Sequence, residues 1–330
     1  MIKTSHSWLY DRIPPYRWLI KTMEKYTLPG MQGLRIYTVL GFFIKGFSSN
    51  DVNTRASAIS FNFFLALFPA TIFFFTLIAY IPVTNLQGEI FNFLQNVLPQ
   101  SAFEAIKTTL TDIIQNRQGG LLSFGFLTAM YFSTSGVNSL IDAFNDYTHS
   151  VQIRKGWKQK LTALGLTMYV IGLIVFTIIL NIIFNIVLDF LYGRHFIGDS
   201  LEYYLLIAVK WLVTILFMFC LVSGLYSFGA AKKRKWPFFS VGSVIATILS
   251  MITSYGFTMY VNNFGSYNKV YGSIGTLMVI MLLIFINAMV ILIGFELNVS
   301  IDKAISHHLD PTKISPEKLE QELKSKEGDD

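Results

Sequence analysis

Residues 270–295 read VYGSIGTLMVIMLLIFINAMVILIGF, and this stretch between Lys269 and Glu296 carries no charge. As a helix, its 26 residues extend about 39 Å, more than the ~30 Å of hydrocarbon in a bilayer. Five other charge-free stretches lie upstream: 33 residues between Arg55 and Glu89, 24 between Arg117 and Asp142, 28 between Lys160 and Asp189, 21 between Lys210 and Lys232, and 33 between Lys235 and Lys269. Each is long enough to cross a membrane as a helix. A barrel would alternate apolar and polar residues, and runs such as Ile171–Leu180 do not.

Composition agrees with this reading. A soluble domain is about 25% charged; here 14% of residues are charged and 53% are apolar, with mean hydropathy +0.50. The single cysteine, Cys220, excludes an intramolecular disulfide and a cysteine-built metal cage. The expected fold is an all-α integral membrane bundle of six helices, near 59–82, 120–141, 161–188, 203–230, 238–261 and 273–297. Residues 1–58 form a cytoplasmic N-terminal segment, 59–298 the membrane domain and 299–330 a cytoplasmic tail. Residues 1–30 hold no apolar core of a cleavable signal, so the first span is expected to direct insertion.

Lysine and arginine set the orientation. Eight precede the first span, and the successive loops and tail hold 2, 4, 1, 4, 1 and 5, with Lys210 inside the fourth span. The alternation places 21 of the 26 in the cytoplasm, with both termini inside. The net charge of +6 is therefore topology and attraction to anionic lipid, not a nucleic-acid footprint. Outside the spans, residues 33–47 predict an interfacial helix. The external loop 83–119 predicts two short amphipathic helices, the second opened by a Ser101–Glu104 capping box. Ser315-Pro316-Glu317 predicts a short tail helix.

Three stretches resemble the YihY/BrkB family of bacterial membrane proteins. They are RASAISFNFFLALFPATIFF (55–74), GVNSLIDAFNDYTH (136–149) and FGSYNKVYGSIGTLMVIMLLIFINAMVILIGFELN (264–298). The last joins a signature loop, with Tyr267, Asn268, Tyr271 and Gly272, to a closing Gly294-x-Glu296-Leu297-Asn298. The resemblance covers roughly residues 40–310. It implies a multi-pass protein of the bacterial plasma (inner) membrane without a settled biochemical function. An older label of the family, tRNA-processing ribonuclease, finds no chemistry here. His6, His149, His195, His307 and His308 form neither H-x-H-x-D nor H-E-x-x-H.

Polar groups at membrane depth are costly and mark candidate sites. The third span spaces Thr177, Asn181, Asn185 and Asp189 four residues apart, and Lys210 of the fourth span is placed to pair with Asp189. Arg55, Asp142 and Glu296 lie at similar depth on the inner side, as a gate, a substrate site or a structural pin. Asn62 and Asn287 add amides, and Ser243, Thr247, Ser250 and Ser254 form one hydroxyl face. These groups either line a polar path or hold helices together. No phosphate-binding loop, nucleophile elbow or dinucleotide fingerprint is present, and no cofactor or metal site is expected.

The leading function is a permease or lipid translocator without its own ATPase. The alternatives are a non-transporting scaffold or envelope-integrity protein, and an intramembrane enzyme, for which no constellation is recognisable. Expected partners are membrane lipids and an unidentified transported substrate, with no nucleic acid; a homo-oligomer stays open. The charge alternation carries a direct test. Reporters fused after Lys160, Lys235 and Asp330 are expected to read cytoplasmic, and those after Arg117, Asp199 and Asn268 external. One reversed site removes the six-span arrangement.

Overall fold

The structure is a computed structural model describing residues 36–49, 51–78, 80, 118–147, 154, 156–193, 201–231, 238–263 and 265–309. These residues form seven helices: α1 (Ile36–Ser49), α2 (Val52–Ile78), α3 (Gly119–Tyr147), α4 (Gly156–Gly193), α5 (Leu201–Gly229), α6 (Val241–Asn263) and α7 (Gly265–Leu309). No strand occurs among the described residues. Five helices (α2, α4, α5, α6 and α7) are long and apolar enough to cross a membrane. The remaining long helix, α3, has 29 residues but is more polar, with Ser133, Thr134, Ser135, Asn138, Ser139, Asp142, Asn145 and Asp146 in its second half.

Packing follows a ring. α2 lies against α3, α3 against α4, α4 against α5, α5 against α6, α6 against α7, and α7 returns to α2. α1 packs on α7, and α7 also reaches across to α3. The expected helix at 33–47 is therefore present, shifted to Ile36–Ser49. The expected loop helices at 83–119 and 315–324 lie outside the described residues, apart from Gln118 and Gly119.

Burial is concentrated at one end of the ring. The core takes Val52, Ala56 and Ile59 from the start of α2, and Val137–Tyr147 from the end of α3. It also takes Ala163 and Leu166 from the start of α4, Val222–Ala230 from the end of α5, and Ala288–Val299 from α7. At the far end, α4 exposes Ile171, Ile174, Val175, Phe176, Ile178, Ile179, Ile182, Ile183 and Ile186. A helix apolar all round and still exposed has to be covered by lipid or protein.

Helix α7 is the mast of this arrangement. Its 45 residues extend about 68 Å, roughly twice the hydrocarbon thickness. Every residue from Gly294 to Ile301 is buried, so no face of these two turns is free. The helix does not stop near 297 but continues to Leu309, with Ala304 still buried beside Val39 of α1. At its other end it begins at Gly265, so Tyr267, Asn268, Tyr271 and Gly272 stand in its first turns rather than in a loop. A single residue, Phe264, separates α6 from α7.

Close approach of α6 and α7 depends on two glycines. A Cβ on Gly242 would overlap the backbone oxygen of Gly294, and one on Gly294 would sit 2.6 Å from the Ala246 Cβ. Asn298 then bonds across the contact. Its Oδ1 accepts from the Gly242 amide at 2.8 Å, and its Nδ2 donates to Ser240 Oγ at 2.8 Å. Ser240 caps α6: its Oγ accepts from the Ser243 amide, and Ser243 Oγ accepts from the Ser240 amide, both at 3.2 Å. This is a capping box built from two serines. The hydroxyl face Ser243, Thr247 and Ser250 is thus buried in helix packing; only Ser254 is exposed.

Overpacking a core costs about 1–3 kcal/mol and sometimes more. Gly242→Val is expected to lower the melting temperature and the monodisperse yield in detergent. Gly256→Ala, where a Cβ meets nothing within 4 Å, is expected to leave both unchanged. Equal behaviour of the two variants would contradict the close contact.

Candidate functional site

Helices α2 and α3 run antiparallel, and their register decides which charges meet. Phe73 backbone lies 3.0 Å from where a Cβ on Gly125 would sit, and the Phe63 ring 3.1 Å from one on Gly136. Asn62 Nδ2 donates to Ser139 Oγ at 3.1 Å. Continuing one and two turns further brings Arg55 against Asp146, with which it forms an ion pair. Asp142 stands one turn short of that position. The side chains are 28% and 58% exposed, so water screens part of the attraction. Arg55 also lies over the Tyr147 ring, 5.7 Å from its centroid.

Of the expected triad of Arg55, Asp142 and Glu296, Asp142 stands apart, whereas Arg55 and Glu296 both lie within electrostatic reach of Tyr147. Arg55 is joined by Asp146 and Tyr147. Asp142 accepts from Asn138 Nδ2 at 2.9 Å and from Gln159 Nε2 at 2.6 Å, and Gln159 also donates to Asn138 Oδ1 at 3.0 Å. Glu296 is fully buried. Ser300 Oγ lies 3.4 Å from its Oε1, at the limit of a hydrogen bond, and a Cβ on Gly46 of α1 would overlap the carboxylate. Around it the signature residues meet four helices. Phe295 stacks on Phe144 of α3 at 3.9 Å and meets Tyr226 of α5 edge-on at 5.5 Å. Leu297 packs with Val39 of α1, and Gly294 and Asn298 face α6. Tyr226 is anchored in turn by donating to the Ile291 carbonyl at 2.7 Å.

The same end is tied off by Arg154. Its guanidinium donates to the carbonyls of Gly229 at 2.9 Å, Phe228 at 3.1 Å and Ala230 at 2.8 Å. These carbonyls close α5 and would otherwise lack partners. Burial lowers the Arg154 pKa from its ordinary value. Asn145 Oδ1 accepts from the Ala231 amide at 2.9 Å, so α3 holds the end of α5 as well.

A groove opens beside this closed end, between α2, α3 and α4. Its volume is about 790 Å³, within the roughly 300–1,000 Å³ of small-molecule sites. Asn62, Thr134, Ser135, Asn138 and Ser139 supply its polar lining, and Leu127, Met130, Tyr131, Leu161 and Leu164 its apolar one. Trp157 and Lys160, from the first turn and a half of α4, complete it. Thr134 Oγ1 is buried without a hydrogen-bond partner among the described residues. Such a group costs about 1–3 kcal/mol.

The other intramembrane polar residues behave locally. Asn181 Nδ2 donates to the Thr177 carbonyl at 2.9 Å and Asn287 Nδ2 to the Leu283 carbonyl at 3.0 Å, each within its own helix. Lys210 donates to Asn185 Oδ1 at 2.7 Å. The Asp189 side chain lies outside the described residues, as do those of Tyr267, Asn268, Tyr271 and Gly272. Among the described residues no three His, Cys, Asp or Glu side chains converge as a metal site would require.

Comparison with known proteins now bears on these residues. The model of the family described as virulence factor BrkB matches residues 43–318. The chain belongs to the virulence factor BrkB family. Its relatives include a Bacillus subtilis protein named ribonuclease-like protein YfkH, 29% identical over 78% of this chain and 92% of the relative. They also include a UPF0761 membrane protein of Haemophilus influenzae, 26% identical over 79% and 94%, and one of Coxiella burnetii, 23% identical over 77% and 90%. No solved structure matches. The BrkB match spans the closed end and the groove alike.

Sequence reasoning passed over Asp146, Gln159, Asn298, Trp157 and Lys160 as site residues. The signal for Asp146 is the α2–α3 register, which becomes readable once Phe63 is set against Gly136. An exposed pair couples by about 0.2–1 kcal/mol. Arg55→Asp combined with Asp146→Arg is expected to recover thermal stability lost by either change. Arg55→Asp combined with Asp142→Arg is expected to recover none; rescue by that second combination would overturn the register.

Proposed function

We propose that this BrkB-family chain is a permease or lipid translocator of the bacterial inner membrane, working without an ATPase of its own. In this reading α2 to α7 are six spans with both termini in the cytoplasm. The second span, α3, is polar because it carries the lining of the groove. The observation that supports transport is that groove, where amide and hydroxyl side chains of α2 and α3 line a space bounded by apolar residues of α3 and α4. The closed end, sealed by the Phe144–Phe295 stack and the Arg55–Asp146 pair, would then be the inner gate.

A second reading is a non-transporting scaffold or envelope-integrity protein. It is favoured by the polar groups that only serve helices: Asn181 and Asn287 bond their own backbones, and Ser240, Ser243 and Asn298 join α6 to α7. The ribonuclease-like wording belongs to the Bacillus relative's name and is not carried to this chain.

Lipid and metabolite profiling of a deletion strain beside its complemented parent separates the readings. A Ser135→Leu protein, with the groove narrowed, is expected to reach normal abundance yet fail to restore the parental profile. Full restoration by that protein would contradict transport through the groove and favour the scaffold.

A further inference from the structure

The groove between α2, α3 and α4 carries more chemistry than a generic polar path. Its cationic side is set by α4, whose first turns present Trp157, Lys158 and Lys160 in close succession. Trp157 and Lys160 line the groove, and the Lys158 ammonium lies 5.6 Å from the Trp157 ring centroid, a cation–π contact. Trp157 is exposed, as an indole anchored at a headgroup level would be. The start of α4 adds the positive end of a helix dipole beside these side chains.

No carboxylate lines the groove among the described residues. The acid close by, Asp142, has its oxygens engaged by Asn138 Nδ2 and Gln159 Nε2. The cationic character of the groove rests on Lys160, the one charged side chain that lines it among the described residues, and on the α4 N-terminus, while the Asp142 carboxylate is turned to its two amide donors. Leu127, Met130, Tyr131, Leu161 and Leu164 meanwhile present an apolar wall, and the exposure of Leu127, Tyr131 and Leu161 leaves that wall open sideways. A free anion would satisfy the cations and leave the wall wet. An apolar chain alone would leave Ser135 and Lys160 unanswered. An amphiphile with an anionic head and an acyl tail meets both demands.

We infer that the groove binds an anionic phospholipid, its phosphate held by Lys160, Trp157 and Ser135 and the upper part of one chain laid along Leu127, Tyr131, Leu161 and Leu164. This names a ligand class for the groove used in the preceding reading and rests on that reading only for the step of translocation. Binding itself stands apart from transport.

Native mass spectrometry of the full-length protein in detergent, titrated with dioleoyl phosphatidylglycerol or dioleoyl phosphatidylethanolamine, tests the inference. Phosphatidylglycerol is expected to bind at least fivefold tighter. Lys160→Gln should reduce that preference to less than twofold, and Ser135→Leu should weaken both lipids at least tenfold. Leu164→Trp, at a partly exposed wall position, should weaken both lipids as well and serves if Ser135→Leu fails to fold. Lys303→Gln, distant on α7, should change nothing. Excess glycerol 3-phosphate should not displace the lipid, because it leaves the apolar wall uncovered. Equal affinity for the two lipids would overturn the inference, as would unchanged binding in a folded Ser135→Leu or Leu164→Trp protein, or displacement by glycerol 3-phosphate. A parallel dithionite assay on liposomes with fluorescent phosphatidylglycerol separates site from transport. Groove-dependent binding without translocation supports the lipid site and counts against the translocator reading. Translocation without groove-dependent binding overturns the lipid site.

Discussion

Eight consecutive residues of one helix, Gly294 to Ile301, are buried on every side, and the rest of the structure is arranged around that constraint. A helix presents a new face about every 100°, so eight buried residues need neighbours all round. α6, α3, α5 and α1 supply them, through Gly242, Phe144, Tyr226 and Gly46. Each contact demands a particular side-chain size. Glycine is needed where backbones touch, an aromatic ring where a gap must be filled, and a short α1 residue where the Glu296 carboxylate lies. The short Gly-x-Glu-Leu-Asn segment can therefore work as a structural signature without taking part in chemistry.

The polar residues divide by what they bond. One group closes bonds within its own helix or to a helix end: Asn181, Asn287, Thr247 and Arg154. A second group joins neighbouring helices: Asn62 with Ser139, Gln159 with Asp142, and Asn298 with Ser240. Polar side chains of both kinds satisfy groups that lipid could not. Asn62 and Ser139 of the second group also border the groove, where the amide and hydroxyl that hold α2 to α3 face open space. One contact between α2 and α3 thus both holds the helices together and lines the groove.

Much of the fold was legible in sequence because a membrane span is a coarse signal. Charge-free length alone located the helices later described as α2 and α4 to α7, and it also located α3, despite that helix's polarity. Helix ends and partners were less legible for a physical reason. Nothing in a charge-free run says where a helix ends outside the hydrocarbon, so α7 was cut near 297 although it runs to Leu309. Tyr267, Asn268, Tyr271 and Gly272 read as a loop, yet the chain there is helical. Arg55 was matched by depth to Asp142, whereas pairing depends on rotation and register, which are set by the seating of Phe63 against Gly136. The hydroxyls of α6 show the same limit: their spacing places them on one face but does not say whether that face meets water or Asn298.

The central claim is that α7 has no free face between Gly294 and Ile301. A cysteine scan of residues 295–306 in a Cys220→Ser background, read as the rate of N-ethylmaleimide modification of the folded protein, tests it most directly. Uniformly slow modification from 295 to 301 is predicted, with faster modification at 302 and 303, a slow rate again at the buried Ala304 and a fast rate at Ser306, which is exposed. A helical rhythm of fast and slow positions within 295–301 would show one open face on this helix and contradict the account.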